Sequence, residues 1–494
     1  MPKRGDTVGL KDIWNKLRRG VRAGVIAMKE NKINNEYLIS TINAHRSSQK
    51  VDLMLKGDRY YKVENDIKSR RLFKVVNGKR VEETYKANNR IAHAKYKNLV
   101  DEKINYLLAR DYSLKCNNTD YINKIKSILG KHFHYNLSEL GYEASNKGIA
   151  WLHFYLEDNK FKTIVIPSEQ CIPIWEDKTH TELKALIRVY DEEVWEYSKA
   201  KIIIHVEYWT PEDVTYYILD NNYLVYDYNN NNYENTKVSH FNKDNEWYAW
   251  GKVPFIPFKN NHIEMPDIKF VKTLLDSYDL SRSEAANYVE EVKNLIFVLK
   301  GYGGEDIDDF MRKLNEYRAV LVDDPQEGGV DTLTPTMDIT ALKEHYEQLK
   351  RDIIEDGQSV NKDLDKFGSA PSGVALKFMY SGLDLKCNAL ETQFKMGFEM
   401  LLYFINIYLS EIGEGTYENI DVDIIFNRDI EINESETIDN CQKSKGVISD
   451  KTILANHPWV KDIELEKKEL ESQKQESLPF KDKVPLAEVG EVDE

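Results

Sequence analysis

The stretch that decides the fold is residues 266–301, which read PDIKFVKTLLDSYDLSRSEAANYVEEVKNLIFVLKG. Its apolar side chains recur every three or four residues, as on one face of an α-helix; they are Val271, Leu274, Leu275, Tyr278, Ala285, Val289 and Val292. A helix over 266–292 would be about 39 Å long. Segment 295–300 then has the composition of a strand, and glycines at 301, 303 and 304 interrupt the chain.

A second long helix is predicted from Ile339, where the apolar stripe is Leu342, Tyr346, Leu349 and Ile353. About 45 residues separate the two helices, and they contain strand-like segments at 295–300, 318–322 and 328–333 and one short helical pattern around Phe310. Two helices paired directly would need only a short connection. The pattern therefore predicts a helical stalk with a small α+β domain at its tip.

A loop and a third long helix are predicted after the stalk. Segment 361–372 contains the helix-breaking run Gly368-Ser-Ala-Pro-Ser372 and the cations Lys362 and Lys366. From 373 to about 412 the chain is dense in Leu, Phe and Met, which indicates a mostly buried helix. A strand is predicted over 421–426. From 434 the chain reads as an acidic helical segment anchored by Trp459, and 472–494 as a disordered tail.

The first 265 residues predict a mixed body. A helix is predicted over 88–110 from the spacing of Ile91, Tyr96, Val100, Ile104 and Leu107. Segments 161–167, 185–190, 201–209 and 213–219 are rich in β-branched and aromatic residues and predict strands, with a polar hairpin tip at 229–232. Residues 1–35 are basic. We expect a solvated helical arm there, or a contact with an acidic partner or nucleic acid.

Composition excludes several classes of protein. The 494 residues carry 68 Lys and Arg against 83 Asp and Glu, a net charge of −15, which argues against a protein that grips nucleic acid over most of its surface. With 41% hydrophobic residues, a wholly disordered chain is excluded. The most apolar run, 400–409, is too short to span a membrane, and no signal peptide is visible. Four cysteines without CxxC spacing indicate free thiols in a reducing compartment.

The sequence motifs that could indicate a nucleotide, metal or nuclease site are incomplete. Gly368 and Gly373 have P-loop spacing, but Val374 and Ala375 follow where a P-loop needs Lys and Ser or Thr. His132 and His134 would share one face of a strand, yet HExxH and a downstream carboxylate cluster are missing. The pairs Asp308-Asp309 and Asp323-Asp324 are more typical of solvated surface than of a two-metal nuclease. We therefore predict no catalytic site, no metal site and no cofactor.

Three stretches resemble the portal proteins of long-tailed double-stranded DNA bacteriophages and prophages of Gram-positive bacteria. They are Asn88-Asn-Arg-Ile91 with Asn98-Leu-Val-Asp-Glu-Lys103 and Tyr106-Leu107; Asp276-Ser-Tyr-Asp-Leu-Ser-Arg-Ser283 with Asn287, Val289, Glu290 and Leu299-Lys-Gly301; and Ser372-Gly-Val-Ala-Leu-Lys377 with Leu383 and Lys386. The resemblance covers residues 60–470 and rests on the order and spacing of these stretches. The glycine and proline usual after the Tyr-Leu are replaced by Ala109-Arg-Asp111, so the local turn departs from the family pattern.

The resemblance implies an α+β portal fold with a wing, a helical stem, a small α+β clip and a helical crown. Residues 1–265 would form the wing, with the basic arm 1–35, and residues 373–433 would complete it. The stem helices would be 266–292 and 339–360, and the clip 293–338. The tunnel loop would be 361–372, and the crown with its acidic tail 434–494.

The resemblance also implies which residues face DNA, which contact neighbouring subunits and which dock partner proteins. Tunnel-loop residues facing DNA would be Asn361, Lys362, Lys366, Phe367, Ser369 and Ser372. Stem contacts between subunits would be Val271, Leu274, Tyr278, Leu342, Leu349 and Ile353. The clip docking surface would include Glu305, Asp306, Asp309, Arg312 and Lys313.

The resemblance implies that further copies of the chain are partners, in a ring of twelve. The other implied partners are double-stranded DNA in transit without sequence specificity, the terminase large subunit, a head–tail connector or adaptor, and the major capsid and scaffolding proteins. No membrane partner and no enzymatic activity are implied. The chain would lie at the portal vertex of the virion, and in the host cytoplasm during assembly. The alternatives are a metal-dependent phage nuclease and another virion structural protein.

Overall fold

A computed structural model describes residues 35–84, 86–196, 199–230, 237–243, 246–292, 296–300, 306, 329–333, 339–360, 373–418, 420–428, 434–460 and 463–476. Within these ranges the helices are α1 Asn35–Arg46, α2 Gln49–Tyr61, α3 Lys95–Leu108, α4 Thr119–Leu129, α5 His132–Lys147, α6 Ile268–Val292, α7 Ile339–Asp356, α8 Gly373–Glu411, α9 Glu434–Lys443, α10 Asp450–Asn456 and α11 Ile463–Glu476. Short 3-10 turns lie at Asp66–Ser69 and Ser168–Gln170.

The strands, in chain order, are β1 Phe73–Val76, β2 Lys79–Glu82, β3 Ser113–Lys115, β4 Ile149–Glu157, β5 Lys160–Ile166, β6 Cys171–Trp175, β7 Leu183–Glu196, β8 Lys199–Trp209, β9 Asp213–Asp220, β10 Tyr223–Tyr226, β11 Val238–Ser239, β12 Phe241–Lys243, β13 Glu246–Tyr248, β14 Phe255–Lys259, β15 Ile296–Lys300, β16 Gly329–Leu333 and β17 Asp423–Ile425. The α+β class predicted from the sequence is confirmed.

Two antiparallel sheets form the centre of the body. One has the order β10-β9-β8-β7-β6 with β11 beside β9, and the other has the order β14-β4-β5. Leu186 and Trp209 pack into a core with Trp151 of the second sheet. Ile187, the next residue along β7, packs instead with Leu38 of α1. Because side chains alternate along a strand, α1 and the second sheet cover opposite faces of the larger sheet.

Helix α8 packs against β4 and β14 of the smaller sheet. Phe404 and Phe394 of α8 contact Phe154 and Phe258, with ring centroids 4.1 Å and 5.1 Å apart. At Gly397 an added Cβ would lie 2.8 Å from the Phe258 ring, so the close approach of helix and sheet requires glycine there. One face of α8 is exposed at Leu385 and Met396, so the prediction of a mostly buried helix holds for its inner face only.

The predicted pair of long helices is confirmed. Helices α6 and α7 run within the predicted ranges and contact each other, and the segment between them begins and ends with strands β15 and β16. These strands pair antiparallel, with Ile296 opposite Leu333 and Lys300 opposite Gly329. The predicted strand over 318–322 and the short helix of the insert lie outside the described residues.

Several sequence expectations need correction. The helix predicted over 88–110 begins only at Lys95, and Ile91 lies in an extended segment that precedes it. His132 and His134 lie in the first turn of helix α5, not on a strand. Trp459 is 71% exposed and does not anchor its segment. Helix α11 continues to Glu476, so residues 472–476 of the predicted disordered tail are helical.

The chain divides into two compact units. The first comprises residues 1–361 and 382–429, and the second residues 362–381 and 430–494. In the second unit, α10 contacts both α9 and α11, and the Ser449 side chain caps α10 by accepting a hydrogen bond from the Thr452 backbone NH. No helix among the described residues is long and apolar enough to cross a membrane. Cys116, Cys171, Cys387 and Cys441 are free thiols in this structure.

Candidate functional site

The two long helices hold each other through polar contacts near their middles. The Tyr346 hydroxyl of α7 donates a hydrogen bond of 3.1 Å to the Ser281 carbonyl of α6. The guanidinium carbon of Arg282 lies 4.9 Å from the centre of the Tyr346 ring, a cation–π contact. These contacts fix the register of α7 on α6.

The buried carboxylate of Asp279 in α6 forms hydrogen bonds with the segment that precedes α3 and with Asn65. Asp279 accepts hydrogen bonds from the His93 backbone NH at 3.1 Å and from Asn65 Nδ2 at 2.6 Å, and the His93 ring lies 2.8 Å away. Burial raises the pKa of Asp279 above its ordinary value, although the Asn65 and His93 hydrogen bonds oppose that shift. The His93 ring also packs edge-on against Tyr278.

The first two stretches of the resemblance contact each other: residues 88–91 of the first lie along the side of α6 that carries Ser283 and Asn287 of the second. The backbone NH and the side-chain amide of Asn89 both donate to Asn287 Oδ1, at 2.6 Å and 3.0 Å, and Asn89 Nδ2 also donates to Glu290 at 2.9 Å. The Ile91 backbone NH donates to Ser283 Oγ at 3.0 Å. Side chains of α6 therefore satisfy the backbone donors of this extended segment, which explains why it is not helical.

A buried lysine lies where α6 leaves the body. Lys103 of α3 is 1% exposed and donates to Asp267 at 3.1 Å, to Ser145 Oγ at 3.0 Å and to Asn260 Oδ1. A second cation, Lys386 of α8, lies 3.3 Å from the same carboxylate. Burial alone would raise the pKa of Asp267, but the two ammonium groups and Asn260 lower it to about 2. The carboxylate is therefore ionised and holds α3, α6 and α8 together.

The end of α7 is fixed by the same helices. Lys386 Nζ donates to the Gly357 carbonyl at 2.9 Å, which satisfies one of the unpaired carbonyls at a helix C-terminus. Glu102 of α3 accepts hydrogen bonds from the Ser359 hydroxyl and from the Val360 backbone NH, the latter at 3.1 Å. The chain is thus held by both α3 and α8 immediately before segment 361–372.

The predicted stem contacts divide into two groups. Val271, Leu349 and Ile353 are buried within the chain and leave little surface for another subunit. Leu274, Tyr278 and Leu342 are half-buried and keep some exposed surface. Contact between subunits through these three residues stays a prediction.

The other predicted site residues are largely outside the described part of the chain. This holds for all six tunnel-loop residues: Asn361, Lys362, Lys366, Phe367, Ser369 and Ser372. In the clip it holds for Glu305, Asp309, Arg312 and Lys313, whereas Asp306 is described and exposed. Both sets stay predictions.

Among the described residues, no group of three or more His, Cys, Asp or Glu side chains is arranged to hold a metal ion. His134 lies 3.6 Å from Asp111. The pairs Asp308-Asp309 and Asp323-Asp324 lie outside the described residues. No described observation favours a nuclease.

The cluster of Lys103, Asp267 and Lys386 is not among the sites predicted from the sequence. One signal was present, because Lys103 falls between Val100 and Leu107 on the apolar stripe of its helix, where a lysine must be buried and paired. Asn260 and Asp267 are more than 150 residues away from Lys103 along the chain, so the spacing of residues could not identify them as its partners.

Residues 41–479 match a family model for phage portal proteins. Within that class the matching model is described as “Phage portal protein, SPP1 Gp6-like”, and this chain belongs to that family. The resemblance drawn from the three stretches is confirmed.

Two relatives, each named portal protein, are similar over most of their length. The protein of Clostridium phage phiCD119 is 33% identical over 442 residues, which cover 85% of this chain and 94% of that protein. The protein of Bacillus phage SPP1 is 30% identical over 425 residues, covering 85% and 83%. A chain in the solved structure “Neck of empty GTA particle computed with C6 symmetry” covers 74% of this chain and 90% of its own, with 10% identity and a TM-score of 0.38.

Proposed function

We propose that this chain is the structural subunit of a portal ring at one capsid vertex. Double-stranded DNA would be packaged and ejected through the ring, and terminase and head–tail connector proteins would dock on it. The chain itself would carry out no catalysis. The observation that carries the proposal is the family match over residues 41–479.

The geometry of the long helices supports a mechanical role. Helix α6 has 25 residues and is about 38 Å long. Asp267, immediately before the helix, and Asp279 and Asn287 within it are bonded to the body, so that the helix is held along most of its length. A helix fixed at several points can hold a distant tip in a defined position while force acts on it. We propose that α6 and α7 are the stem and residues 293–338 the clip.

The charge of the chain supports passage of DNA rather than tight binding. Each contact between a cation and a phosphate adds affinity by counterion release, and many such contacts would stop a sliding duplex. A subunit of net charge −15 repels phosphate on balance. Lys362 and Lys366 in segment 361–372 would supply sparse contacts that break easily.

A ring also needs two different complementary surfaces on each subunit. Helices α6 and α7 together form a helical hairpin. On it, Leu274, Tyr278 and Leu342 keep part of their apolar surface exposed, where a neighbouring copy would pack. We propose that these side chains lie at the contact between subunits, with a ring of twelve as the family resemblance implies.

The proposal is tested by locating the chain in assembled particles. An epitope tag in the proposed clip, on which proteins outside the capsid would dock, should be labelled by gold-coupled antibody at a single vertex of each tailless particle, since one ring serves one capsid. A control tag on the major capsid protein should mark the whole shell. Labelling of every vertex, or of free protein only, would overturn the proposed role.

A further inference from the structure

A cleft of about 610 Å³ lies at the base of the helical hairpin, among α3, α6, the end of α7 and α8. Lys103 and Asp267 are among its lining residues. Three further lining residues are apolar and exposed to solvent: Ile263 at 49%, Phe270 at 49% and Leu385 at 65%. Large apolar side chains gathered around one concave surface mark a binding site rather than ordinary protein surface.

The charges around the cleft restrict what can occupy it. Glu355 and Asp356 line it and are exposed at the C-terminal end of α7, where the helix dipole adds partial negative charge. The cations Lys103 and Lys386 are directed to Asp267. The rim therefore repels phosphate, and it suits a segment with apolar side chains on one face and cations beside them.

The chain contains such a segment before α1. Residues 10–22 read LKDIWNKLRRGVR and place Leu10, Ile13, Trp14, Leu17 and Val21 at helical spacing. The cations of this segment fall between those positions; they are Lys11, Lys16, Arg18, Arg19 and Arg22. In a chain of net charge −15, residues 1–34 carry nine Lys and Arg against three Asp and Glu.

We propose that residues 10–22 dock in this cleft of the same chain as an amphipathic helix. Its apolar face would cover Ile263, Phe270 and Leu385, and its cations would lie beside Glu355 and Asp356. The docked arm would join α6, α7 and α8 at the base of the hairpin, which is a role beyond the ring and the DNA channel.

The length of chain available permits this docking. Lys50 of α2 is bonded to Glu264, next to Ile263 on the rim, at 2.9 Å. Helix α1 spans about 18 Å and four further residues reach Lys50, so Asn35 lies within about 32 Å of that contact. The twelve residues 23–34 can span about 40 Å.

The test is site-specific photo-crosslinking in the full-length protein. With p-benzoylphenylalanine in place of Trp14, irradiation should yield crosslinks to peptides within residues 255–275 or 380–395, identified by mass spectrometry. The product should run as one 57.7 kDa chain on a denaturing gel. The matched control places the same group at Asp12, on the opposite face of the predicted helix, and should give at least about threefold fewer crosslinks.

Three outcomes would overturn the proposal. They are the absence of crosslinks to the cleft peptides, a product with the mass of two chains, and loss of the crosslink when short duplex DNA is added in excess. The second result would assign the cleft to another copy, and the third would assign the arm to nucleic acid.

Reversing the charge of the acidic residues at the cleft rim gives a second test, which leaves residues 10–22 in place. Glu355→Lys with Asp356→Lys should lower the crosslink yield at least about threefold, because two attractive contacts become repulsive. Adding Arg18→Glu and Arg19→Glu should restore it. The control Glu344→Lys with Glu347→Lys changes equally exposed acids of α7 outside the cleft and should leave the yield unchanged. An unchanged yield in the first variant would contradict the proposal.

Discussion

Asp267→Asn is expected to lower the free energy of unfolding by about 3–5 kcal/mol, the cost of removing one partner from a buried ion pair. The Asp267 side chain is 7% exposed and lies 3.1 Å from Lys103 Nζ and 3.3 Å from Lys386 Nζ. A neutral amide leaves both ammonium groups without their counter-charge. The pKa supports the same order of magnitude, because a fall from 3.8 to about 2 on folding corresponds to about 2 kcal/mol at neutral pH.

The effect should also depend on pH in a defined direction. The pKa of Asp267 is lower in the folded chain than in the unfolded chain, so its stabilisation is present above pH 3.8. It is lost as the pH falls from there towards 2 and the carboxylate becomes protonated. The difference in stability between the wild type and Asp267→Asn should therefore narrow over that range.

Urea unfolding followed by circular dichroism at pH 7 measures the change, at a concentration where all variants have the same mass by light scattering. Asp52→Asn is the control, because it removes the exposed pair of Lys56 and Asp52 and should cost about 0.5 kcal/mol or less. An Asp267→Asn variant whose free energy of unfolding lies within about 1 kcal/mol of this control would show that the buried ion pair contributes little to stability.

The remaining predictions concern assembly, DNA passage and packing. Leu274→Glu should prevent ring assembly while the monomer stays folded, because a charge would enter an apolar contact between subunits; rings of unchanged mass by native mass spectrometry would contradict this. Lys362→Glu with Lys366→Glu should leave rings intact but lower the amount of DNA packaged per particle, and normal packaging would remove these lysines from the proposed role. Gly397→Ala should cost about 1–3 kcal/mol, because its Cβ would meet a phenylalanine ring at 2.8 Å. Gly382→Ala in the same helix, where an added Cβ would lie 3.9 Å from Gln358 Cα, should instead be neutral or stabilising by up to about 1 kcal/mol; equal thermal unfolding of the two variants would show that the close contact does not matter.

The long helices could be predicted because their signal is local. The apolar stripe of α6 repeats over about six turns, and the observed helix begins at Ile268, two residues after the predicted start. Helix α8, predicted over 373–412, ends at Glu411. Periodic burial of this kind depends only on neighbours three or four residues away, so a single sequence is sufficient to reveal it.

The junction at the base of the hairpin could not be predicted in the same way. Ile91 has helical spacing relative to Tyr96, yet its backbone NH is bound by Ser283, which lies 192 residues further along the chain. The position of Lys103 on an apolar stripe indicates that it has a buried partner. Asp267 and Asn260 are too far away along the chain for the pattern around Lys103 to identify them. Contacts between distant segments decided both the extended conformation before α3 and the position of the cleft.

The proposed portal ring can be tested by measuring the solution mass of the purified chain by light scattering after size-exclusion chromatography, followed by negative-stain imaging. We expect a mass near twelve times 57.7 kDa and rings with a central channel wide enough for duplex DNA. A chain that stays monomeric, both alone and when co-expressed with its capsid and scaffolding proteins, would contradict it.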